Sequence, residues 1–225
     1  MTPRRIAGVD EVGRGPLAGP VVACAVVFSP EFCEPMWSGV ASHLADSKKL
    51  SAKRRGDLRR GLLAAARAGT IEWALGWATS GEIDALNIQA ATWLAMTRAL
   101  DTLDVPPDFV RVDGCFVPPR WRDRGEAIVG GDGRIAEISA ASILAKEARD
   151  CWMRTLAQWY PAYGFERHAG YPTAAHRAAL EEFGASPVHR RSFAPVARAV
   201  AMGRGGPGAD GLSEQKSSVR GVVQG

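Results

Sequence analysis

No two cysteines in the chain are spaced C-x-x-C, and no histidines stand in an H-E-x-x-H arrangement. The four cysteines (Cys24, Cys33, Cys115, Cys151) and four histidines (His43, His168, His176, His189) are scattered. That argues against a structural zinc framework and makes a reducing, cytoplasmic compartment the default. Nowhere does an apolar run approach the ~20 residues that cross a bilayer, and the N-terminus lacks a signal-peptide pattern. A phosphate-cradling P-loop is missing as well. The early glycine-rich turn, Gly13-Arg14-Gly15, leads to Pro16 and a strand-like run instead of Gly-Lys-Ser/Thr and a helix. There are no internal repeats.

Apolar residues are not scarce: 46% of the 225 residues are hydrophobic, ample for one large core. The expected organisation is one domain over residues 1–202. A flexible tail rich in Gly and Ser follows over 203–225. The net charge of +4 suits a polyanionic partner without proving one.

The chain is organised around Ile6 to Val27, which reads strand, turn, strand. An apolar run (Ile6 to Val9) stops at Asp10 and Glu11; Gly13-Arg14-Gly15 turns the chain; a second run follows from Val21 to Phe28. Adjacent strand residues point to opposite faces, so Asp10 and Glu11 cannot both face the core. A carboxylate at a strand end needs a partner if it is buried, and a metal ion is a natural one. The plainer alternative is a solvated turn in which the glycines supply positive φ.

Ser29 to Leu44 is a loop, and Ser51 is placed to cap a helix through about Ala68. Lys48 and Lys49 precede it, where one of them is placed to meet a phosphate. Thr70 to Thr79 reads as a third strand. The segment from Ser80 reads as two helices, or a kinked one, interrupted near Asn87. Asp108 to Val112 is a fourth strand ending on Asp113. After a loop from Cys115 to Arg124, Glu126 to Val129 is a fifth, running into Gly130-Gly131-Asp132. Three strands thus end on an acid, and in open α/β sheets sites gather at strand ends near a change of strand order. A long helix covers Ile138 to about Trp159, its small residues Ala140, Ala141, Ser142 and Ala145 permitting close packing. Two further helices start near Thr173 and Ala194, separated by a basic loop with His189, Arg190 and Arg191. Tyr171 sits among basic residues, where an aromatic can stack on a sugar or base. On local sequence alone, a core tyrosine with a bonded hydroxyl is the preferred reading.

Four carboxylates without a histidine set describe an oxygen-ligand site for hard divalent ions, magnesium or manganese and not zinc. Two such ions about 4 Å apart can hold an in-line phosphoryl displacement from both sides, and basic surroundings point to a nucleic-acid backbone as substrate.

The segments DEVGRGPLAGPVV, DSKKLS, EIDALNI, VDG, GD followed by EISAASILAKEARD, YGFERHAGYPT and HRRSFAPV occur in this order. In that series, from about Ile6 to Val196, the chain resembles ribonuclease HII. The resemblance implies an α/β, ribonuclease H-like fold: a mixed β-sheet flanked by helices, with a C-terminal helical part. It implies endonucleolytic cleavage of RNA in RNA–DNA hybrids and of single ribonucleotides embedded in duplex DNA. Cleavage on the 5′ side of the ribonucleotide leaves 3′-hydroxyl and 5′-phosphate ends. Carried over by position, Asp10, Glu11, Asp113 and Asp132 bind two Mg²⁺ or Mn²⁺ ions. Gly13, Arg14 and Gly15 contact the ribose 2′-hydroxyl, the group that tells RNA from DNA. Tyr171 stacks on the neighbouring deoxyribose, and Lys48 lies near the scissile region. Cys115 stands where many members have Asn. The tail lacks the Gln-plus-aromatic pattern that binds a sliding clamp, so a monomer without that tether, and without membrane attachment, is expected. Two other readings are a non-catalytic nucleic-acid-binding module and a nuclease preferring long hybrid stretches.

Overall fold

Alternating apolar residues build a sheet whose two faces are both covered. In the computed structural model, which describes residues 5–33 and 52–203, β1 (Ile6–Val12) and β2 (Val21–Phe28) pair antiparallel, from Ala7 opposite Val27 to Val12 opposite Val22. β3 (Ile71–Ala78) joins β2 antiparallel. On the other edge of β1, β4 (Phe109–Asp113) runs parallel to it, and β5 (Gly125–Ile128) parallel to β4. The order is β3-β2-β1-β4-β5, the expected mixed sheet. Pairing therefore changes sense at β1, the strand that carries Asp10 and Glu11.

The period-2 alternation of β2 divides it between two cores. Val21, Ala23, Ala25 and Val27 pack with Ile83 of α2 (Ser80–Leu86) and with Ala91, Ala95 and Met96 of α3 (Ile88–Asp101). Cys24 and Val26 face α1 (Ala52–Arg67) through Leu58, Leu62 and Ala65. The same two residues also face Ala140, Ala141 and Leu144 of α4 (Ala136–Trp159). Two-sided burial is why β2 is a near-continuous apolar run. Close approach is secured by missing side chains. A Cβ on Gly76 would lie 1.9 Å from the Ala95 carbonyl oxygen, and one on Gly8 2.4 Å from the Glu137 carbonyl carbon at the start of α4. The break near Asn87 is a cap: Asn87 adopts φ +72°, and its Oδ1 accepts from the N–H groups of Gln89 and Ala90 to open α3.

The C-terminal part comprises α5 (Phe165–His168), α6 (Ala174–Phe183) and α7 (Ala194–Ala201). Residues around α5 and α6 pack on the last turns of α4 through Met153, Leu156, Tyr163 and Phe165. Four details differ from the sequence reading. β1 does not stop at the acids but runs through them to Val12, because β2 continues to pair with it. Asp132 lies in a 3-10 turn, Gly131–Gly133, beyond the end of β5. The Cys115–Arg124 loop contains a 3-10 helix, Pro119–Arg124, anchored by buried Trp121. The basic loop is not a solvated one, since His189 and Arg190 are 1% and 0% exposed. Lys48, Lys49, Ser51 and residues 204–225 lie outside the described residues. Among the described residues no helix is long and apolar enough to cross a membrane.

Candidate active site

The parallel register of β1 and β4 ends at Val9 opposite Val112. One step further it sets Asp10 beside Asp113, on strands about 4.8 Å apart. Alternation then sends the two β1 acids to different faces. Asp10 shares the side of Gly8, against α4, where the Ser142 hydroxyl hydrogen-bonds it, and its Oδ1 accepts from the Glu11 N–H at 2.7 Å. Glu11 points the other way, its Oε1 3.4 Å from Arg14 Nη1. Arg14 Nη2 also donates to Gln89 Oε1 at 2.8 Å, tying the glycine-arginine-glycine turn to the first turn of α3. Asp132 is brought in through its backbone, whose N–H donates to Asp113 Oδ1 at 3.3 Å.

Burial holds the Asp10 carboxyl well above the usual carboxylate range, and the negative charges of Glu11 and Asp113 push the same way. The hydrogen bonds from Ser142 and the Glu11 N–H only partly oppose this. Glu11 is raised as well, chiefly by burial, with Arg14 pulling it down. Like charges crowded at low dielectric are a cost that a cation removes, and an all-oxygen donor set suits a hard divalent ion. These residues fit magnesium or manganese on that ground. Among the described residues, however, no three Asp, Glu, His or Cys side chains are already gathered around one point as ion ligands.

The turn after β1 is held from behind. Arg190, fully buried, donates from Nε to Gly19 O, from Nη1 to Arg14 O and from Nη2 to Gly13 O. Arg149 of α4, equally buried, donates to Pro20 O, Ala18 O and Ala169 O. Burial, and then the charge of Arg149, push Arg190 down to about 9. Gly13 is obligatory here, because at φ +92° its Cβ would sit 2.2 Å from Arg149 Nε. Gly15 is different: a Cβ there would meet only Tyr171, at 3.7 Å.

Tyr171 is 38% exposed and so is not a core tyrosine. Its carbonyl can only accept a hydrogen bond, so the His176 Nδ1 at 2.9 Å must carry the proton and donate it. His176 Nε2 then accepts from His189 Nε2 at 3.1 Å, which leaves His189 Nδ1 to accept from the Ser186 N–H at 3.1 Å and hydroxyl at 2.7 Å. Both rings are neutral in this chain. Burial pushes His176 down to about 4 and His189 to about 3.

Of the residues singled out in the sequence, Asp10, Glu11, Asp113 and Asp132 thus adjoin at one end of the sheet, beside Gly13, Arg14 and Gly15. Tyr171 lies against Gly15. Ser142, Gln89, Arg149, Arg190 and the histidine pair were not recognised as parts of this constellation. One signal was present for Arg149: it stands four residues from Ala145 and from Met153, in register with a buried helical stripe, where a charge is out of place.

A mixed sheet of this order, with acids on its central strands, places the protein among the ribonuclease H-like nucleases. The sequence model of the family described as Ribonuclease HII matches residues 7–196. The chain belongs to that family, and it is an RNA–DNA hybrid endonuclease of the ribonuclease H class. It is 54% identical over 202 residues to the Ribonuclease HII of Laribacter hongkongensis, covering 89% of this chain and 96% of that one. The crystal structure of ribonuclease H2 from Pyrococcus horikoshii is similar, with a TM-score of 0.68 at 25% identity over 88% of this chain and 98% of its own. Bst-RNase HIII, solved in complex with Mn²⁺, shares the fold, with a TM-score of 0.63 at 16% identity over 88% of this chain and 70% of its own.

Proposed function

We propose that the chain cleaves the RNA strand of hybrids and also nicks duplex DNA on the 5′ side of a single embedded ribonucleotide. The observation that carries the catalytic half is the like-charge crowding of Asp10, Glu11 and Asp113 at the change of pairing sense. Asp10, Glu11, Asp113 and Asp132 would hold two divalent ions, magnesium or manganese; the manganese complex of the structural neighbour is consistent with this. Bound there, the ions supply an activated water and stabilise charge on the phosphate and the leaving oxygen. The water oxygen bonds to phosphorus as the P–O3′ bond breaks, and O3′ takes up a proton, giving 3′-hydroxyl and 5′-phosphate ends.

The chain's own residues orient these parts. Ser142 fixes the Asp10 carboxylate. Arg14 spans Glu11 and Gln89, setting the position of the Gly13–Gly15 backbone from which the 2′-hydroxyl is read. Tyr171, facing Gly15 across a gap that no Cβ fills, stacks on the deoxyribose next to the ribonucleotide. Lys48, outside the described residues, would act near the scissile phosphate on the strength of the family resemblance alone.

The test is cleavage of a duplex with one ribonucleotide against an all-DNA duplex and a continuous hybrid, with Mg²⁺, Mn²⁺ or chelator. The expected result is a metal-dependent nick 5′ of the ribonucleotide and no cut in the DNA duplex. Cleavage of the continuous hybrid alone would restrict the activity to long hybrid stretches.

A further inference from the structure

Lys146, Asp150 and Arg154 stand four residues apart on α4, so their side chains follow one another along one side of the helix. They line a groove of about 250 Å³ together with Glu166, Arg167 and Tyr171. Two of its three cations are already matched: Lys146 Nζ donates to Asp150 at 2.7 Å, and Arg167 Nε lies 3.6 Å from Glu166. Arg154 is exposed and has no carboxylate within 4 Å among the described residues. The turn beneath is fixed in shape. Ala169 and Gly170 adopt φ of +48° and +79°, Arg149 holds the Ala169 carbonyl, and the His168 ring is bonded on both sides, to Tyr163 O and to the Gly170 N–H. A left-handed alanine persists only where its surroundings impose it.

We propose that this groove is a subsite for the phosphodiester backbone on the 3′ side of the ribonucleotide, away from the nick, with Arg154 binding one of its phosphates. The inference rests on Tyr171 taking the deoxyribose beside the junction. A strand that leaves that ring on the side of α5 enters the groove Tyr171 lines and meets a guanidinium with its fork of donors unused, suited to a phosphate. Because Lys146 and Arg167 are neutralised by Asp150 and Glu166, one phosphate contact is expected from this wall, not three.

The test is binding of one-ribonucleotide duplexes by fluorescence anisotropy in EDTA, over a range of salt, with the wild-type chain, Arg154→Gln and Arg154→Lys. For a duplex long on both sides, Arg154→Gln is expected to weaken binding about fivefold at low salt. It also lowers the slope of log K against log salt by about one, the signature of one lost phosphate contact. Arg154→Lys retains the slope. On a duplex truncated just past the ribonucleotide on its 3′ side, wild type and Arg154→Gln bind alike. An unchanged salt slope, or an equal loss on the truncated duplex, overturns the proposal. Binding is read without cleavage, so a wild-type chain that binds but never nicks would overturn the junction activity while the slope still decides Arg154.

Discussion

At the end of β1 the carboxylates of Asp10, Glu11 and Asp113 crowd together with Arg14 as the cation in reach of Glu11. Across the Gly13–Pro20 turn, Arg149 and Arg190 spend six donors on six carbonyl oxygens, five of them in the turn and the sixth at Ala169. Both regions bury charge at high cost. In the first the charges repel and the folded chain leaves the conflict in place. In the second the two guanidinium charges also repel, but each spends three donors on backbone carbonyl dipoles, and the loop is fixed by them. A region left in conflict is one that a ligand completes; a region fully satisfied is one that holds shape. The difference separates residues whose removal should cost activity from those whose removal should cost stability.

The largest expected effect tests the first half. Asp10→Asn removes a charge that burial, Glu11 and Asp113 all oppose, so the thermal midpoint should stay level or rise by a few degrees. Cleavage of a one-ribonucleotide duplex should fall on the order of 10³-fold or more, because the oxygen proposed to hold a metal ion is lost. Calorimetry and initial rates on the same preparation check both. Asp113→Asn should behave alike.

Arg190→Met tests the other half. It leaves Gly13, Arg14 and Gly19 carbonyls buried without donors, and hydrogen bonds to a charged group are worth roughly 1.5–3 kcal/mol each. A loss of at least about 3 kcal/mol, read as a lower urea midpoint, is the expected outcome. Activity per folded molecule should fall far less than in Asp10→Asn.

The sheet and the acids were readable because both follow local rules. Val21–Phe28 is bounded as expected, a run made apolar by helices on both faces, and the acids interrupt such runs. The break at Asn87 was visible for a similar reason, a local cap. What escaped was tertiary. Arg190 reads only as one member of a basic loop beside Arg191, yet it is buried because Gly13, Arg14 and Gly19, more than 170 residues away, offer carbonyls. Tyr171 reads locally as a core residue, since nothing nearby reveals that His176 holds its carbonyl while its ring lies half-exposed between Arg149 and Gly15. The extension of β1 through Asp10 and Glu11 was hidden too, because charges mask a strand that a neighbour's pairing sustains.

A smaller, pH-dependent effect sharpens the contrast. The histidine chain works only while both rings are neutral: a proton on His176 Nε2 would face the His189 Nε2–H at 3.1 Å, and one on His189 Nδ1 would face the Ser186 N–H at 3.1 Å. His176 and His189 are depressed from 6.5 to about 4 and about 3, so the unfolded chain takes up protons first as pH falls. Their stabilisation is therefore complete above pH 6.5. It is lost progressively from there down to about 4 for His176 and about 3 for His189. The raised Asp10 carboxyl acts with the opposite sign, gaining stability on acidification. Urea midpoints between pH 7 and 5 should fall with pH, and His189→Gln should flatten that fall by about one proton's worth, roughly 1.4 kcal/mol per pH unit.

The least stability change is expected where the two regions meet, at Gly15, and the glycine on the other side of Arg14 is its contrast. Gly13→Ala forces a left-handed φ of +92° on a residue with a Cβ and drives that atom into the Arg149 side chain. The arginine clamp leaves no room to adjust, so the thermal midpoint should drop by several degrees. Gly15 has an ordinary φ, and a Cβ there meets only Tyr171 at van der Waals distance. Gly15→Ala should then fold as the wild type does, within about 1 °C. Its methyl group, however, enters the gap between the turn and Tyr171 where the junction sugars are placed. Nicking at a single ribonucleotide should fall roughly tenfold, the scale of one lost stacking contact, through a higher KM and with a smaller loss on a continuous hybrid. If Gly15→Ala instead unfolds like Gly13→Ala, the gap is a packing feature and the 2′-hydroxyl is read elsewhere. If it neither unfolds nor changes the preference between the two substrates, the sugar does not lie against Gly15.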